Sequence, residues 1–347
     1  MSKLKLIVAG IALAIFCTGC GAEKDPDNLT AGMEAVQNLE YNEALDYFKD
    51  ALSDGEDERQ VCRGFGLAYM GLSQYEDAIT YFERALQLSD GTPVDMDYDI
   101  NYYLATAYYR NNQNEDAIST YDAILALRPK EKEAYYLRGC VKLYSGSFED
   151  AKLDFDSAIA LDKNDYNRLI QIYNALTDNG YKDIGREYLQ QAIAENEKSI
   201  NNYDMGRIYY YLEDYENARE YLLKVKISSD YEAALYLGRT YEALGDYNYA
   251  SSIYNDYTLL DQSKAEIYNQ LGLCRIQMGE YELALSSFQE GMNIEGNEIM
   301  QSLKFNEIVA YEYMEDFKTA AALMSNYLKS YPDDEEAQRE YKFLKTR

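Results

Sequence analysis

Small and large apolar positions recur along this chain at fixed separations. In the stretch Arg59 to Ser89 the small residues Gly66, Ala78 and Ala85 lie twelve and then seven residues apart, with Phe65, Tyr69, Tyr75 and Phe82 beside them. A residue without bulk lets one helix backbone approach another, and aromatic neighbours fill the space beside the contact. The stretch therefore predicts two short amphipathic helices joined by a tight turn near Leu72–Ser73. The first small position returns at Gly32, Gly66, Ala105, Gly139, Tyr173, Gly206, Gly238, Gly272 and Ile308, at spacings of 32 to 39 residues. Twelve residues after each stands Ala44, Ala78, Ala117, Ala151, Gly185, Ala218, Ala250, Ala284 or Ala320, and four beyond that a large apolar residue such as Phe48, Phe82 or Tyr254. The fifth unit fits least well, with Tyr173 and Gly185 at its small positions, and is expected to mark a change in curvature.

Turn and stop signals fall where this register needs them. Gly or acidic residues precede an aromatic at Ser145-Gly146-Ser147-Phe148, Glu213-Asp214-Tyr215, Gly245-Asp246-Tyr247 and Gly279-Glu280-Tyr281. Asp90-Gly91-Thr92-Pro93, Arg128-Pro129 and Tyr331-Pro332 stop helices between units. Asp25-Pro26 reads as an N-cap with Pro at the first helical position. In this register the chain resembles the tetratricopeptide repeat family, arrays of helix–turn–helix units of about 34 residues. The resemblance covers residues 25–332. It implies an all-α fold, a right-handed superhelical α-solenoid of about nine helix pairs. Residues 333–347, with acids first and Lys/Arg last, match a helix dipole and read as a C-terminal capping helix.

The N-terminus follows a different pattern. Lys3 and Lys5 precede an apolar run from Leu6 to Phe16, too short to span a bilayer and suited to a signal peptide. It ends in Cys17-Thr18-Gly19-Cys20, which resembles the bacterial lipoprotein signal; Cys17 stands where that signal usually has Leu. The resemblance implies removal of residues 1–19 and lipidation of Cys20. Residues 20–24 would tether the array to the extracytoplasmic face of a membrane. Two acyl chains make a stable anchor where one is marginal.

Charge and chemistry narrow the function. The 347 residues carry 33 Lys+Arg against 61 Asp+Glu, a net charge of −28. Phosphate backbones and anionic lipid repel such a surface, so no nucleic-acid partner is expected. There are 38 Tyr, no Trp and no His, which removes the commonest general base and metal ligand. Cys62, Cys140 and Cys274 fall in separate units and read as small buried apolar residues. No zinc spacing, P-loop or dinucleotide turn is present, so no catalytic residue, metal or cofactor is assigned. Asp90, Asp95, Asp97 and Asp99 crowd one loop, but the EF-hand spacing fails. A solvated loop in which Asp97 or Asp99 caps the next helix is the expectation.

What the repeats offer is a surface. In the family resembled, positions three before, one after and four after the first small position face a concave groove. Here they include Tyr102, Thr106 and Tyr109; Tyr136 and Cys140; Asn174 and Thr177; Tyr203, Arg207 and Tyr210; and Arg239 and Glu242. Tyr and Arg dominate binding hot spots. The candidate binding residues are therefore Tyr102, Tyr109, Tyr136, Asn174, Tyr203, Arg207, Tyr210 and Arg239. The Lys and Asn clamp with which some relatives grip a C-terminal carboxylate is missing. The expectation is a lipid-anchored adaptor or assembly scaffold that binds a protein or peptide, with the two arginines receiving an acidic segment. Two alternatives are a structural component of a cell-envelope, pilus or secretion assembly, and a small-ligand or glycan receptor.

Overall fold

The structure, a computed structural model, describes residues 27–196, 198–226 and 230–347. Among them it has nineteen helices and no strand. Eighteen helices form nine consecutive pairs. They are α1 (Asn28–Gln37) with α2 (Tyr41–Ser53), α3 (Glu58–Gly71) with α4 (Tyr75–Gln87), and α5 (Asp95–Arg110) with α6 (Asn114–Leu127). Next come α7 (Lys132–Tyr144) with α8 (Phe148–Leu161), α9 (Tyr166–Asp178) with α10 (Lys182–Asn196), and α11 (Asn202–Tyr211) with α12 (Tyr215–Leu222). Last are α13 (Tyr231–Ala243) with α14 (Tyr247–Thr258), α15 (Ala265–Gln277) with α16 (Tyr281–Met292), and α17 (Met300–Tyr313) with α18 (Phe317–Ser330). A final helix, α19 (Glu335–Leu344), follows. Residues 1–19, the tether 20–24 with Cys20, and Asp25-Pro26 lie outside the described residues. The first helix is capped instead by Asp27, whose carboxylate accepts from the Thr30 amide at 2.8 Å.

The small-and-large register explains the pairing. The first small position sits on the odd helix, and the second small and large positions sit on the even one. Phe48, Phe82, Phe155 and Phe288 are fully buried, each against a glycine of its partner helix. A Cβ on Gly32 would stand 2.5 Å from the Phe48 ring, and one on Gly139 would stand 2.8 Å from Phe155. Only a residue lacking Cβ lets the ring lie flat on the neighbouring backbone. Each intra-pair turn also contains one residue in the left-handed region: Leu39, Ser73, Asn112, Gly146, Gly180, Glu213, Gly245, Gly279 or Glu315. The next amide then returns to the last helical turn, as Glu40 does to the Ala35 carbonyl at 2.8 Å.

The chain divides into two compact units, one ending at Gly185 and one beginning at Arg186. In the first unit α3 packs on both α1 and α5, and α7 on α9. In the second, α11 packs on α13 and α15 on α17. Within each unit, then, first helices of neighbouring repeats meet and share a face. At the end of the second unit α19 buries Ala337 and Leu344 among Ile308, Met324 and Tyr327. Asp334 caps it through the Ala337 amide at 3.0 Å. Cys62, Cys140 and Cys274 are buried free thiols, as expected for apolar fillers.

Of the four acids expected in one solvated loop, only Asp90 precedes α5; Asp95, Asp97 and Asp99 belong to the helix itself, and each is paired with an arginine. Asp95 meets Arg128 at 2.7 Å, Asp99 meets Arg63 at 2.5 Å, and Asp97 pairs with Arg59. Asp97 also accepts from the Val94 amide at 2.8 Å, capping α5.

Candidate binding site on the first helices

Tyr102, Tyr109, Tyr136 and Asn174 belong to the first unit. Tyr102 stands half-buried on α5 with its ring 6.2 Å from that of Tyr121. Tyr109 and Tyr144 are likewise 6.2 Å apart, joining α5 to α7. Tyr136 lies under the guanidinium of Arg168, 4.0 Å from its ring centroid, and Arg168 pairs with Glu133. Asn174 is exposed. Burial is the main cause that pushes the phenols of Tyr102, Tyr109 and Tyr136 above their ordinary value, so they stay protonated donors. Burial also pushes the Cys140 thiol up to about 12, which leaves no thiolate for chemistry.

Tyr203, Arg207, Tyr210 and Arg239 belong to the second unit, where α11 and α13 bring them together. Tyr210 meets Tyr236 edge-on at 5.5 Å, Tyr211 at 5.6 Å and Tyr215 at 5.8 Å. Tyr203 meets Tyr236 at 6.3 Å, and its hydroxyl donates to Glu232. Arg207 departs from the expectation of a groove-facing cation. It is only 6% exposed, its guanidinium lies 4.9 Å from the Tyr203 ring and 5.5 Å from Tyr236, and Asp204 accepts from it at 3.3 Å. Arg239 is more open but also engaged. Glu266 accepts from it at 2.6 Å, and the Gln270 amide, turned so that its oxygen faces the guanidinium, accepts at 3.0 and 3.2 Å. Burial lifts the carboxyl of the neighbouring Glu242 above its usual value, against the opposing influence of the Tyr254 hydroxyl and Arg239.

The residues that complete these clusters, Glu133, Arg168, Glu232, Tyr236 and Glu266, were not on the sequence-derived list. One signal for them does exist in the sequence. An acid stands six residues before the first small position at Asp99, Glu133, Glu232 and Glu266. Each accepts from a donor on a neighbouring first helix: Arg63, Arg168, Tyr203 and Arg239 respectively. Glu133, Glu232 and Glu266 stand in the first turns of their helices, where an acid also favours the helix dipole. This stripe ties adjacent first helices together while it lines their face. Among the described residues no group of three or more Cys, Asp or Glu side chains is placed to hold a metal ion. No helix among them is long and apolar enough to cross a membrane.

Two family models, both described as tetratricopeptide repeat, match residues 29–93, 63–132 and 203–257, and residues 132–165 and 265–298. Together they span well over half of the chain, which belongs to the tetratricopeptide repeat family. Solved structures resemble it as well. Yeast Tom70 is 13% identical with a TM-score of 0.50, over 92% of this chain and 87% of that one. A tetratricopeptide repeat protein from Parabacteroides merdae is 14% identical over 73% of this chain and 98% of its own, with a TM-score of 0.47. PilF of Pseudomonas aeruginosa is 20% identical over 63% and 99%, with a TM-score of 0.41. At these identities the likeness to Tom70 speaks for the fold alone. Proteins of this repeat family are generally scaffolds for protein interaction, and typically without catalysis of their own.

Proposed function

We propose that this protein is a lipid-anchored, extracytoplasmic adaptor that holds a protein or peptide partner on the first-helix faces of its repeats. The observation that carries this reading is the cluster of Tyr203, Tyr210, Tyr211 and Tyr236, whose rings brace one another edge-on at 5.5–6.3 Å. Rings held in one geometry offer large contact area with little conformational entropy left to lose on binding. Tyr102, Tyr109, Tyr136 and Asn174 give the first unit a second face of similar chemistry. The Gly19–Cys20 junction after a short apolar run supports the anchor.

Two experiments test the reading. A photo-crosslinking amino acid at Tyr210 or Tyr109, in cells, is expected to trap a protein partner. The same residue at Tyr249, exposed on a second helix, is expected to trap none. Trapping from Tyr249 alone would place binding elsewhere. Cys20→Ala is expected to abolish incorporation of labelled fatty acid and release the protein from membranes; unchanged labelling would remove the anchor from the proposal.

A further inference from the structure

The chemistry of the partner can be narrowed from the second unit; this step rests on the adaptor reading. Arg207 and Arg239 are both neutralised internally, the first by Asp204 and two rings, the second by Glu266 and Gln270. Asp204 stands beside the Arg207 guanidinium, Glu242 and Glu266 beside that of Arg239, and a fourth carboxylate, Glu232, at the Tyr203 hydroxyl. Glu232 is exposed and accepts from the Tyr203 hydroxyl. An acidic segment would meet mostly like charge on this face, where Arg207 and Arg239 are engaged and Lys264, at the start of α15, lies 5.4 Å over the Tyr231 ring with Asp261 nearby.

The same chain shows what these settings do hold. Among the described residues a guanidinium lies repeatedly over a tyrosine ring while it pairs with a carboxylate, as Arg138 does over Tyr135 with Asp154. Arg128 lies 3.4 Å over Tyr98 and pairs with Asp95, Arg168 lies over Tyr136 and pairs with Glu133, and Arg207 lies between Tyr203 and Tyr236 beside Asp204. Ring quadrupole and carboxylate act together on one cation, and Arg suits both.

We infer that the first-helix face of α11, α13 and α15 binds an extended segment rich in arginine or lysine, with Glu232, and Glu266 through the carboxylate it shares with Arg239, pairing its cations beside Tyr203 and Tyr210. This reverses the acidic segment expected from the sequence. The net charge of −28 adds long-range attraction for such a segment and makes its capture salt-dependent.

The test uses the full chain and three fluorescein-labelled peptides that alternate glycine with arginine, glutamine or glutamate, read by anisotropy. The arginine peptide is expected to bind at least about tenfold more tightly than the other two. Glu232→Gln with Glu266→Gln keeps hydrogen-bond acceptors in place and is expected to weaken it by about tenfold. Glu282→Gln with Glu290→Gln, an equal charge change on exposed positions of α16, is expected to change it less than about twofold. Equal losses from both pairs, a preference for the glutamate peptide, or no binding of the arginine peptide would overturn the inference. Tyr203→Ala with Tyr210→Ala separates it from the adaptor reading. If the glutamine or glutamate peptide binds more tightly and this variant loses it, the face still binds peptides and only the basic partner fails. If the arginine peptide ignores both the tyrosine and the glutamate changes, both readings fail.

Discussion

Gly185 lies against Tyr173 in a reversal of the contact that organises the other repeats. A Cβ on Gly185 would stand 3.1 Å from the Tyr173 ring and 3.2 Å from the Tyr173 carbonyl oxygen. In six other repeats the glycine is on the first helix and the bulk on the second, as with Gly139 and Phe155. In the fifth repeat the bulk has crossed to the first helix, and the second helix has given up its side chain. The pair that looks weakest in the register is thus a complementary exchange: Tyr173 is buried, and the space its ring takes is the space Gly185 leaves.

Gly139→Ala tests the common version of this contact. Its new methyl would meet Phe155 at 2.8 Å and the Ala151 carbonyl at 3.2 Å, a fully buried ring and a backbone that have little room to retreat. A loss of about 1–3 kcal/mol is expected from urea unfolding. Adding Phe155→Leu is expected to recover part of it. If the single variant matches wild type, the close approach of α7 and α8 is not required.

The turns make the opposite prediction. Leu39 has a φ of 65° and is 69% exposed, and Glu213 has a φ of 63°. A side chain in the left-handed region costs about 1–2 kcal/mol, whereas glycine gives back about 0.4–1 kcal/mol through the freedom of the unfolded chain. Leu39→Gly and Glu213→Gly are each expected to raise stability by about 0.5–1 kcal/mol. Gly146→Ala, at φ 86° with open space around it, is expected to lower it by about the same. Thermal melts of the three variants decide the sign.

These cases show which parts of the molecule can be read from sequence. The contact between Gly32 and Phe48 lies within one helix pair, so its two residues keep a constant separation, and the same glycine-and-bulk pair recurs at that separation in six repeats. The acid at the start of a first helix is also periodic. Its partner is less regular: Arg63 and Tyr203 reach Asp99 and Glu232 from three residues before the small position of the preceding first helix, Arg239 reaches Glu266 from one residue after it, and Arg168 reaches Glu133 from the following first helix. Periodicity therefore gave the fold and the tyrosine stripe. The burial of Arg207 depends on Tyr236 of the next repeat, and a single-repeat template holds no such information.

A pair of acids at the end of the chain makes stability depend on pH. Glu312 on α17 stands beside Glu340 on α19, and burial, then the charge of Glu340, pushes the Glu312 carboxyl up from 4.5 to about 7. Below pH 4.5 the folded and unfolded states both hold this proton, and the contact is fully favourable. Between 4.5 and about 7 the unfolded chain releases the proton first, so stability falls as pH rises and the deficit persists above 7. Glu312→Gln is expected to raise the melting temperature near pH 8 and leave it almost unchanged near pH 4. Amide exchange in α19 is expected to slow in the variant at the higher pH only. An equal effect at both pH values would show that the two carboxyls do not share this cost.

Asp154 is the strongest test of the charge network in the first unit. Only 3% exposed on α8, it accepts from Arg138 at 2.5 and 2.9 Å and from Lys142 at 2.8 Å, both on α7. Arg138 extends the network to Asp122 on α6. A carboxylate so far from water is tolerable because two cations and several hydrogen bonds replace its hydration. Removing it leaves two cations, themselves largely covered, without their shared partner. Asp154→Ala is expected to cost about 3 kcal/mol, and the cost should survive high salt because screening reaches buried pairs poorly. Asp154→Asn, which keeps an oxygen acceptor and the side-chain shape, is expected to cost about half as much. Urea unfolding at low and high ionic strength checks both. A loss that vanishes in salt, or equal losses for the two variants, would mean that α7 and α8 are held by their apolar contacts alone and that the acid only rides on them.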